Sequence, residues 1–124
     1  MTGVESLDSI TDRESVENIQ RIAEEFVTKL RPIKIILFGS FANGTYNEDS
    51  DFDFYIVVDD DRNVNETTRA AYRALINVKK RPVDIIVGTH SRFEQKGKSH
   101  YSLMVEGEVE RDGILLYDKD AVAV

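Results

Sequence analysis

The sequence has no cysteine among its 124 residues, so disulfide bonds and thiolate metal ligands are excluded, and the composition suits a reducing compartment. Long hydrophobic runs are also missing: the longest apolar stretches are IILF, FYIVV and IIV, each far too short to span a bilayer. The first residues contain neither the basic segment nor the apolar segment of a secretory signal. We therefore expect a cytoplasmic protein without a membrane partner.

The sequence lacks an excess of basic residues. Lysine and arginine number 16 against 23 aspartates and glutamates, which gives a net charge of −7. Proteins that grip nucleic-acid backbones usually carry the opposite excess, because counterion release supplies most of their affinity. We therefore expect no direct nucleic-acid binding. A nucleoside triphosphate stays compatible with this charge, since a divalent cation can bridge an acidic site and a phosphate chain.

The length favours a single small domain. A chain of 124 residues can bury roughly two-thirds of the surface that it exposes when unfolded, which is enough for a real core. Residues 1–13 are polar and carry no strong pattern, so they are predicted to form a loose N-terminal arm. The domain itself is expected over residues 14–124.

Hydrophobic periodicity predicts alternating helices and strands. The predicted helices begin at a capping box over Thr11–Glu14, at Asn63 or Asn65, and at a second capping box over Ser91–Glu94, the last with Phe93, Tyr101, Met104 and Val105 on one side. The predicted strands are Lys34–Phe38, Asp51–Val58, Val83–Val87 and Ile114–Tyr117, the last as a possible edge strand. This order indicates an α/β or α+β domain in which helices flank a mixed β-sheet.

Asp51 and Asp53 are the first candidate site residues. On a strand, residues i and i+2 point to the same face and lie roughly 6.5–7 Å apart, so both carboxylates face one side while Phe52 and Phe54 face a core. Carboxylates aimed at one place repel each other unless a cation lies between them, and paired oxygen ligands suit Mg²⁺. An isolated Asp-x-Asp is equally compatible with two solvent-facing residues.

Gly39 and Ser40 end the first predicted strand and are candidates for binding phosphate. Glycine lets backbone N–H groups approach phosphate oxygens, and the serine hydroxyl adds a donor. A plain strand-end turn is the alternative. A P-loop is rejected: Gly39 and Gly44 match the first half of its motif, but Thr45-Tyr46 stands where Lys followed by Ser or Thr is required.

Asp84 interrupts the apolar strand Val83–Val87, where an unpaired charge is costly. Beside Asp51 and Asp53 on a neighbouring strand, it would complete a cluster of three carboxylates able to hold two metal ions for a displacement at phosphorus. Asp84 would also lie nearest the acceptor hydroxyl and could help to deprotonate it. The alternative is an aspartate on an edge strand.

Two weaker signals have ordinary structural explanations. Tyr46 could stack on a nucleotide base or, equally, cover the core from a turn. The second predicted helix and its exit carry a basic side, which is typical of a solvated helix face and could alternatively attract an acidic partner or a triphosphate; its residues are Arg69, Arg73, Lys79, Lys80 and Arg81.

Gly39-Ser40 followed by Asp51-Phe52-Asp53, with Asp84 on a later strand, resembles the nucleotidyltransferase superfamily that includes DNA polymerase beta. In size and order the chain is similar to the minimal nucleotidyltransferases, the antitoxin partners of HEPN-type toxins. The resemblance implies a nucleotidyltransferase fold, Mg²⁺ (two ions) and ATP as the substrate, with pyrophosphate leaving. It also implies that Gly39 and Ser40 bind phosphate, that Asp51 and Asp53 are metal ligands, and that Asp84 is the third carboxylate.

The resemblance further suggests a protein adenylyltransferase that modifies a HEPN-type partner. Two other functions stay open at this point. One is a non-catalytic antitoxin that acts by binding and occluding its toxin. The other is transfer to a small molecule, as in aminoglycoside nucleotidyltransferases. The intact carboxylates favour an enzyme, and the lack of a second substrate domain favours a protein acceptor.

Overall fold

The computed structural model of the chain describes residues 7–97 and 105–121. In chain order these residues form α1 (Arg13–Leu30), β1 (Lys34–Phe38), α2 (Ser40–Asn43), β2 (Phe52–Val58), α3 (Val64–Ala74), β3 (Val83–Thr89), α4 (His90–Gly97), α5 (Val105–Asp112) and β4 (Ile114–Asp118). None of the helices in these two ranges is long and apolar enough to cross a lipid bilayer.

The four strands form one sheet in the order β3-β2-β1-β4. The strand β1 pairs antiparallel with both β2 and β4, whereas β2 and β3 pair in parallel and are connected through α3. The mixed sheet predicted from the sequence is thus confirmed, and β4 lies at its edge as expected. The parallel pair matters most for function, because it places the beginnings of β2 and β3 at the same end of the sheet.

Both faces of the sheet are buried. The amphipathic helix α1 packs its apolar side on one face, where the rings of Phe26 and Phe54 meet edge to face with their centroids 5.5 Å apart. On the other face, Tyr55 packs with Phe93 of α4 and Val109 of α5. This double coverage explains why β2 reads as a nearly continuous apolar run apart from Asp53.

The predicted helix starts are partly correct. The side chain of Asn63 accepts a hydrogen bond from the Glu66 amide and caps α3, as expected. The capping box over Thr11–Glu14 is wrong, because Asp12 occupies the N-cap position and makes no side-chain cap hydrogen bond. Thr11 instead bonds through its amide and hydroxyl to the hydroxyl of Tyr46, at 3.1 and 3.0 Å.

Two further predicted regions, the N-terminal arm and the helix after β3, differ in detail from the structure. Within the segment expected to be a loose arm, residues 1–6 lie outside the described residues, whereas Ile10 is buried in the core and α1 begins at Arg13. After β3, the helix α4 begins at His90, one residue before the predicted capping box, and a separate helix α5 begins at Val105. Tyr101 and Met104, predicted on the face of that helix, lie outside the described residues.

Candidate active site

Parallel pairing of β2 and β3 places two of the predicted carboxylates side by side. Asp53 and Asp84 are register partners, and residues in register on neighbouring strands point to the same face of a sheet. Phe52 and Phe54 point into the core on the α1 side, so the two carboxylates lie on the opposite face. Asp53 is half-buried and Asp84 is exposed. The predicted position of Asp84, beside Asp53 on a neighbouring strand, is therefore confirmed.

Asp51 lies one residue before β2 and is held close to the other two. The Phe52 amide donates to the carbonyl of Pro82 at 3.1 Å, which ties the first residue of β2 to the segment entering β3. The negative charge of Asp51 is near enough to Asp53 to raise its pKa. The start of the parallel pair thus gathers all three aspartates at one end of the sheet.

The ionisation of Asp53 reflects this crowding. Burial, followed by the negative charge of Asp84, raises the pKa of Asp53 to about 6. The charges of Asp51 and Glu108 contribute in the same direction, and a hydrogen bond with Asp84 favours the protonated form. Like charges that oppose one another's ionisation are stabilised when a cation lies between them. Glu108, on α5, was not anticipated from the sequence.

Gly39 brings the predicted phosphate-binding turn against the same carboxylate. Its φ of 75° and ψ of −154° lie in a region that side-chain-bearing residues avoid. A Cβ built on Gly39 would collide with the carboxyl group of Asp53, so only glycine permits this approach. Ser40 follows as the first residue of α2 and is half-buried. The Gly-Ser turn after β1 and the acidic residues of β2 are therefore direct neighbours.

The acidic cluster fits Mg²⁺ by its donor chemistry. Among residues 7–97 and 105–121, no three His, Asp or Glu side chains already stand in the arrangement of a complete metal-binding group. Mg²⁺ sites need few protein ligands, since one or two carboxylates with water and substrate phosphates usually complete the coordination. The adjoining carboxylates of Asp53 and Asp84, with the charge of Asp51 near Asp53, meet that requirement.

A buried network lies on the same sheet face as Asp53, next to the acidic cluster. The hydroxyl of Tyr55 donates to Oε2 of Glu106 at 2.8 Å, and Nε of Arg92 donates to the same oxygen at 3.0 Å. Glu106 is only 2% exposed, and burial by itself raises its pKa, but hydrogen bonds, foremost those from Tyr55 and Arg92, together with the charge of Arg92 lower the pKa overall. Burial and the hydrogen bond to Glu106 raise the pKa of Tyr55. The network attaches α4 and α5 to the strand that carries Asp53.

Sequence reasoning missed Glu106 because its role depends on which helix covers the second sheet face. A glutamate beside Gly107 in a weakly helical segment carries no periodic signal of burial. For Tyr46, the structure supports the core-covering alternative: its ring stacks on Phe41 with centroids 4.4 Å apart and planes 9° apart.

The fold and the site together define the class of this protein. A mixed sheet places a Gly-Ser turn after β1 beside carboxylates at the start of β2 and on β3, which is the arrangement of a nucleotidyltransferase. Residues 19–115 match the family model described as nucleotidyltransferase domain, and the chain belongs to this family.

Two known proteins illustrate the relationship. A Methanocaldococcus jannaschii protein named "putative protein adenylyltransferase" is 36% identical over 104 residues, which covers 74% of this chain and 97% of that protein. A solved structure of a "putative nucleotidyltransferase" from Sulfolobus solfataricus superposes with a TM-score of 0.61 at 20% identity, covering 95% of this chain and 92% of that one. The structural match supports the fold. The family model and the sequence match confirm the predicted resemblance, and the chain is a nucleotidyltransferase enzyme.

Proposed function

We propose that this enzyme transfers AMP from ATP to a hydroxyl group of a partner protein, with Mg²⁺ bound at the acidic cluster. The observation that carries the proposal is the convergence of Asp53 and Asp84, in register on parallel strands, with the Gly39 turn against the Asp53 carboxylate. The name of the Methanocaldococcus relative supports AMP as the group transferred and a protein as the acceptor.

Each predicted residue has a role in this proposal. Asp51, Asp53 and Asp84 would hold the metal, with two ions implied by three carboxylates. When bound, Mg²⁺ neutralises charge on the triphosphate and on the displaced pyrophosphate. The backbone of Gly39 and the hydroxyl of Ser40 bind and orient the triphosphate, because the glycine, which has no side chain, lets the turn lie directly against the Asp53 carboxylate.

The transfer is a single displacement at the α-phosphorus of ATP. The acceptor oxygen forms a bond to this phosphorus, the bond from the α-phosphorus to the bridging oxygen of the β-phosphate breaks, and pyrophosphate leaves with the electron pair. Asp84 takes the proton of the acceptor hydroxyl. Asp84 suits this role because it is the exposed member of the pair, so a hydroxyl on a large acceptor can reach it.

The partner that we propose is a HEPN-type toxin, for which this chain would act as the antitoxin in a cytoplasmic toxin–antitoxin system. The net charge of −7 favours a basic partner through electrostatic steering. Occlusion of the toxin without transfer, or transfer to a small molecule of the aminoglycoside type, are the competing functions.

Incubation of the purified protein with ATP, Mg²⁺ and a candidate partner tests the proposal, with intact mass spectrometry of the partner as the readout. The partner should gain one or more AMP groups with the wild type and none with the Asp51→Asn/Asp53→Asn double variant. Asp59→Asn, which changes an exposed aspartate after the far end of β2, is the matched control and should leave transfer unchanged. If the double variant protects cells from the toxin as well as the wild type does, occlusion replaces transfer as the function.

A further inference from the structure

Three separate segments supply the candidate active site, and a single arginine contacts or adjoins all of them. The segments are the Gly39–Ser40 turn, the loop that ends at Asp51, and the entry to β3 that leads to Asp84. Arg81 lies in the connection between α3 and β3, and its side chain is only 21% exposed. From the sequence, Arg81 was interpreted as part of a basic, solvated helix face. In the structure its guanidinium instead contacts a loop and two buried aromatic rings.

The guanidinium of Arg81 holds the loop before Asp51 through main-chain carbonyls. Its Nη1 donates to the carbonyl oxygen of Glu48 at 2.9 Å and to that of Ser50 at 3.1 Å, with a longer contact to Asn47 at 3.4 Å. Ser50 immediately precedes Asp51. Hydrogen bonds from a charged donor are stronger than neutral ones, and these fix the backbone that presents the first carboxylate.

The same guanidinium packs on the aromatic residue that follows the phosphate-binding turn. Its carbon lies 5.1 Å from the ring centroid of Phe41 and 5.9 Å from that of Phe52. Phe41 is fully buried in α2, directly after Ser40, and its ring meets Phe52 with centroids 4.9 Å apart. A cation over an aromatic face is attracted to it, so Arg81 also restrains α2.

The backbone that carries Arg81 is itself anchored. The side chain of Asn18 donates to the carbonyl of Val78 and accepts from the amide of Lys80, both at 2.9 Å, which ties this connection to α1. Nη2 of Arg81 lies 3.7 Å from a carboxyl oxygen of Asp12 at the start of the same helix. Arg81 is therefore a fixed point from which the loop and α2 are held.

We infer that Arg81 is a positioning residue for nucleotide transfer: it sets the placement of Asp51 and of the Gly39–Ser40 turn relative to Asp53 and Asp84. The inference rests on the proposed function of these residues and adds to it a group that touches neither metal nor nucleotide. Lysine cannot replace it, because an ammonium group lacks the planar fork that directs Nη1 to the loop carbonyls and Nη2 to Asp12 while the guanidinium lies over an aromatic ring.

The test compares Arg81→Lys with Arg62→Lys in the full chain. Arg62 is a matched control: it is half-buried, and its Nη1 donates to the carbonyl of Leu30 at 2.9 Å, beyond the far end of β2. The first readout is amide hydrogen exchange, which needs no ligand. Arg81→Lys should speed exchange over residues 47–52 by about tenfold, as expected for roughly 1.4 kcal/mol of lost local stability, whereas Arg62→Lys should leave that segment unchanged.

The second readout is the Mg²⁺ concentration that half-saturates ATP binding, measured by calorimetry at a temperature where both variants are folded. It should rise about tenfold or more in Arg81→Lys and less than about twofold in Arg62→Lys, because misplaced ligands bind less well. Unchanged exchange over residues 47–52, or an unchanged Mg²⁺ requirement in a variant whose exchange has quickened, overturns the inference. Failure of the wild type to bind ATP with Mg²⁺ would instead count against the proposed function. In that case hydrogen exchange alone would decide whether Arg81 positions the loop before Asp51.

Phe41→Leu gives an independent measure should Arg81→Lys fail to fold. It removes the ring beneath the guanidinium, together with the contacts of that ring to Tyr46 and Phe52, and keeps an apolar side chain of similar volume. We expect a severalfold weaker binding of ATP with Mg²⁺, without faster exchange over residues 47–50. Wild-type affinity in this variant would overturn the link between Arg81 and the turn.

Discussion

Gly39 lies directly against the carboxyl group of Asp53, so closely that no side-chain carbon fits between them. The turn proposed to bind phosphate and the carboxylate proposed to bind metal are thereby in van der Waals contact across β1 and β2. The contact depends on the positive φ of Gly39, which turns its backbone toward Asp53.

Gly39→Ala should abolish transfer and destabilise the protein. The added methyl group is strained by the backbone conformation and collides with Asp53, so we expect a loss of roughly 3 kcal/mol or more in the free energy of unfolding. Gly44→Ala is the control, because Gly44 also has a positive φ, of 86°, but open space around its Cβ position. Gly44→Ala should lower the free energy of unfolding, measured in urea, by only about 1 kcal/mol.

A double variant separates the collision from the strain. Asp53→Ala removes the carboxyl group that the new methyl group meets, so Gly39→Ala should be less destabilising in that background than in the wild type. Chemical unfolding of all four proteins gives the coupling directly. Strict additivity of the two changes would show that the close approach of Gly39 to Asp53 does not determine the cost.

Asp53 should make the metal-free protein less stable as the pH rises. Burial and the charge of Asp84 raise its pKa to about 6, from an ordinary 3.8, so the unfolded chain ionises first. Stability therefore falls between pH about 4 and pH about 6, by roughly 1–3 kcal/mol. In EDTA, Asp53→Asn should unfold at a higher temperature than the wild type at pH 7.5, with the difference vanishing below pH 4. A variant less stable than the wild type at pH 7.5 would mean that the Asp53 carboxylate supports the fold.

ATP binding should require the divalent cation. The three aspartates would otherwise repel the triphosphate, so calorimetry should detect ATP binding with Mg²⁺ and little in EDTA. Asp84→Asn should weaken the Mg²⁺-dependent binding and abolish transfer, while Asp59→Asn should do neither. Equal ATP affinity with and without Mg²⁺ would contradict a metal bridge between the acidic cluster and the phosphates.

Glu106 should stabilise the fold above acidic pH. Although burial opposes ionisation, the hydrogen bonds from Tyr55 and Arg92 lower its pKa, so its contribution is present above its ordinary pKa of 4.5 and is lost as the pH falls below it. Glu106→Gln should cost about 1–3 kcal/mol at pH 7 in urea unfolding. Glu110→Gln, on the exposed side of α5, should have almost no effect. Equal effects of the two substitutions would mean that the buried network contributes little.

The sequence predicted the placement of the aspartates better than it predicted the contacts that hold them in place. Alternation on a strand was enough to separate Asp53 from Phe52 and Phe54, and an aspartate inside an apolar strand was enough to single out Asp84. The parallel register of these two residues could not be read locally, since it depends on how α3 crosses the sheet.

Tertiary contacts account for the errors. Thr11 is unavailable as a helix cap because Tyr46, far along the chain, binds it. Arg81 looked like one more surface cation in a basic run, because its acceptors are backbone carbonyls of a loop whose path the residue types do not reveal. Glu106 was missed for the related reason that burial of a lone glutamate depends on its partners across the fold.

The crossover between β2 and β3 also determines when the acidic cluster can arise during folding. Pairing of these strands closes a longer stretch of chain than the antiparallel pairing of β1 with β2, and such closures form more slowly. Until β3 docks, Asp84 does not lie beside Asp53, and a register slip of one residue would turn Asp84 to the other face. A newly synthesised chain therefore has no assembled cluster, and the proposed metal site would form only when the enzyme is native.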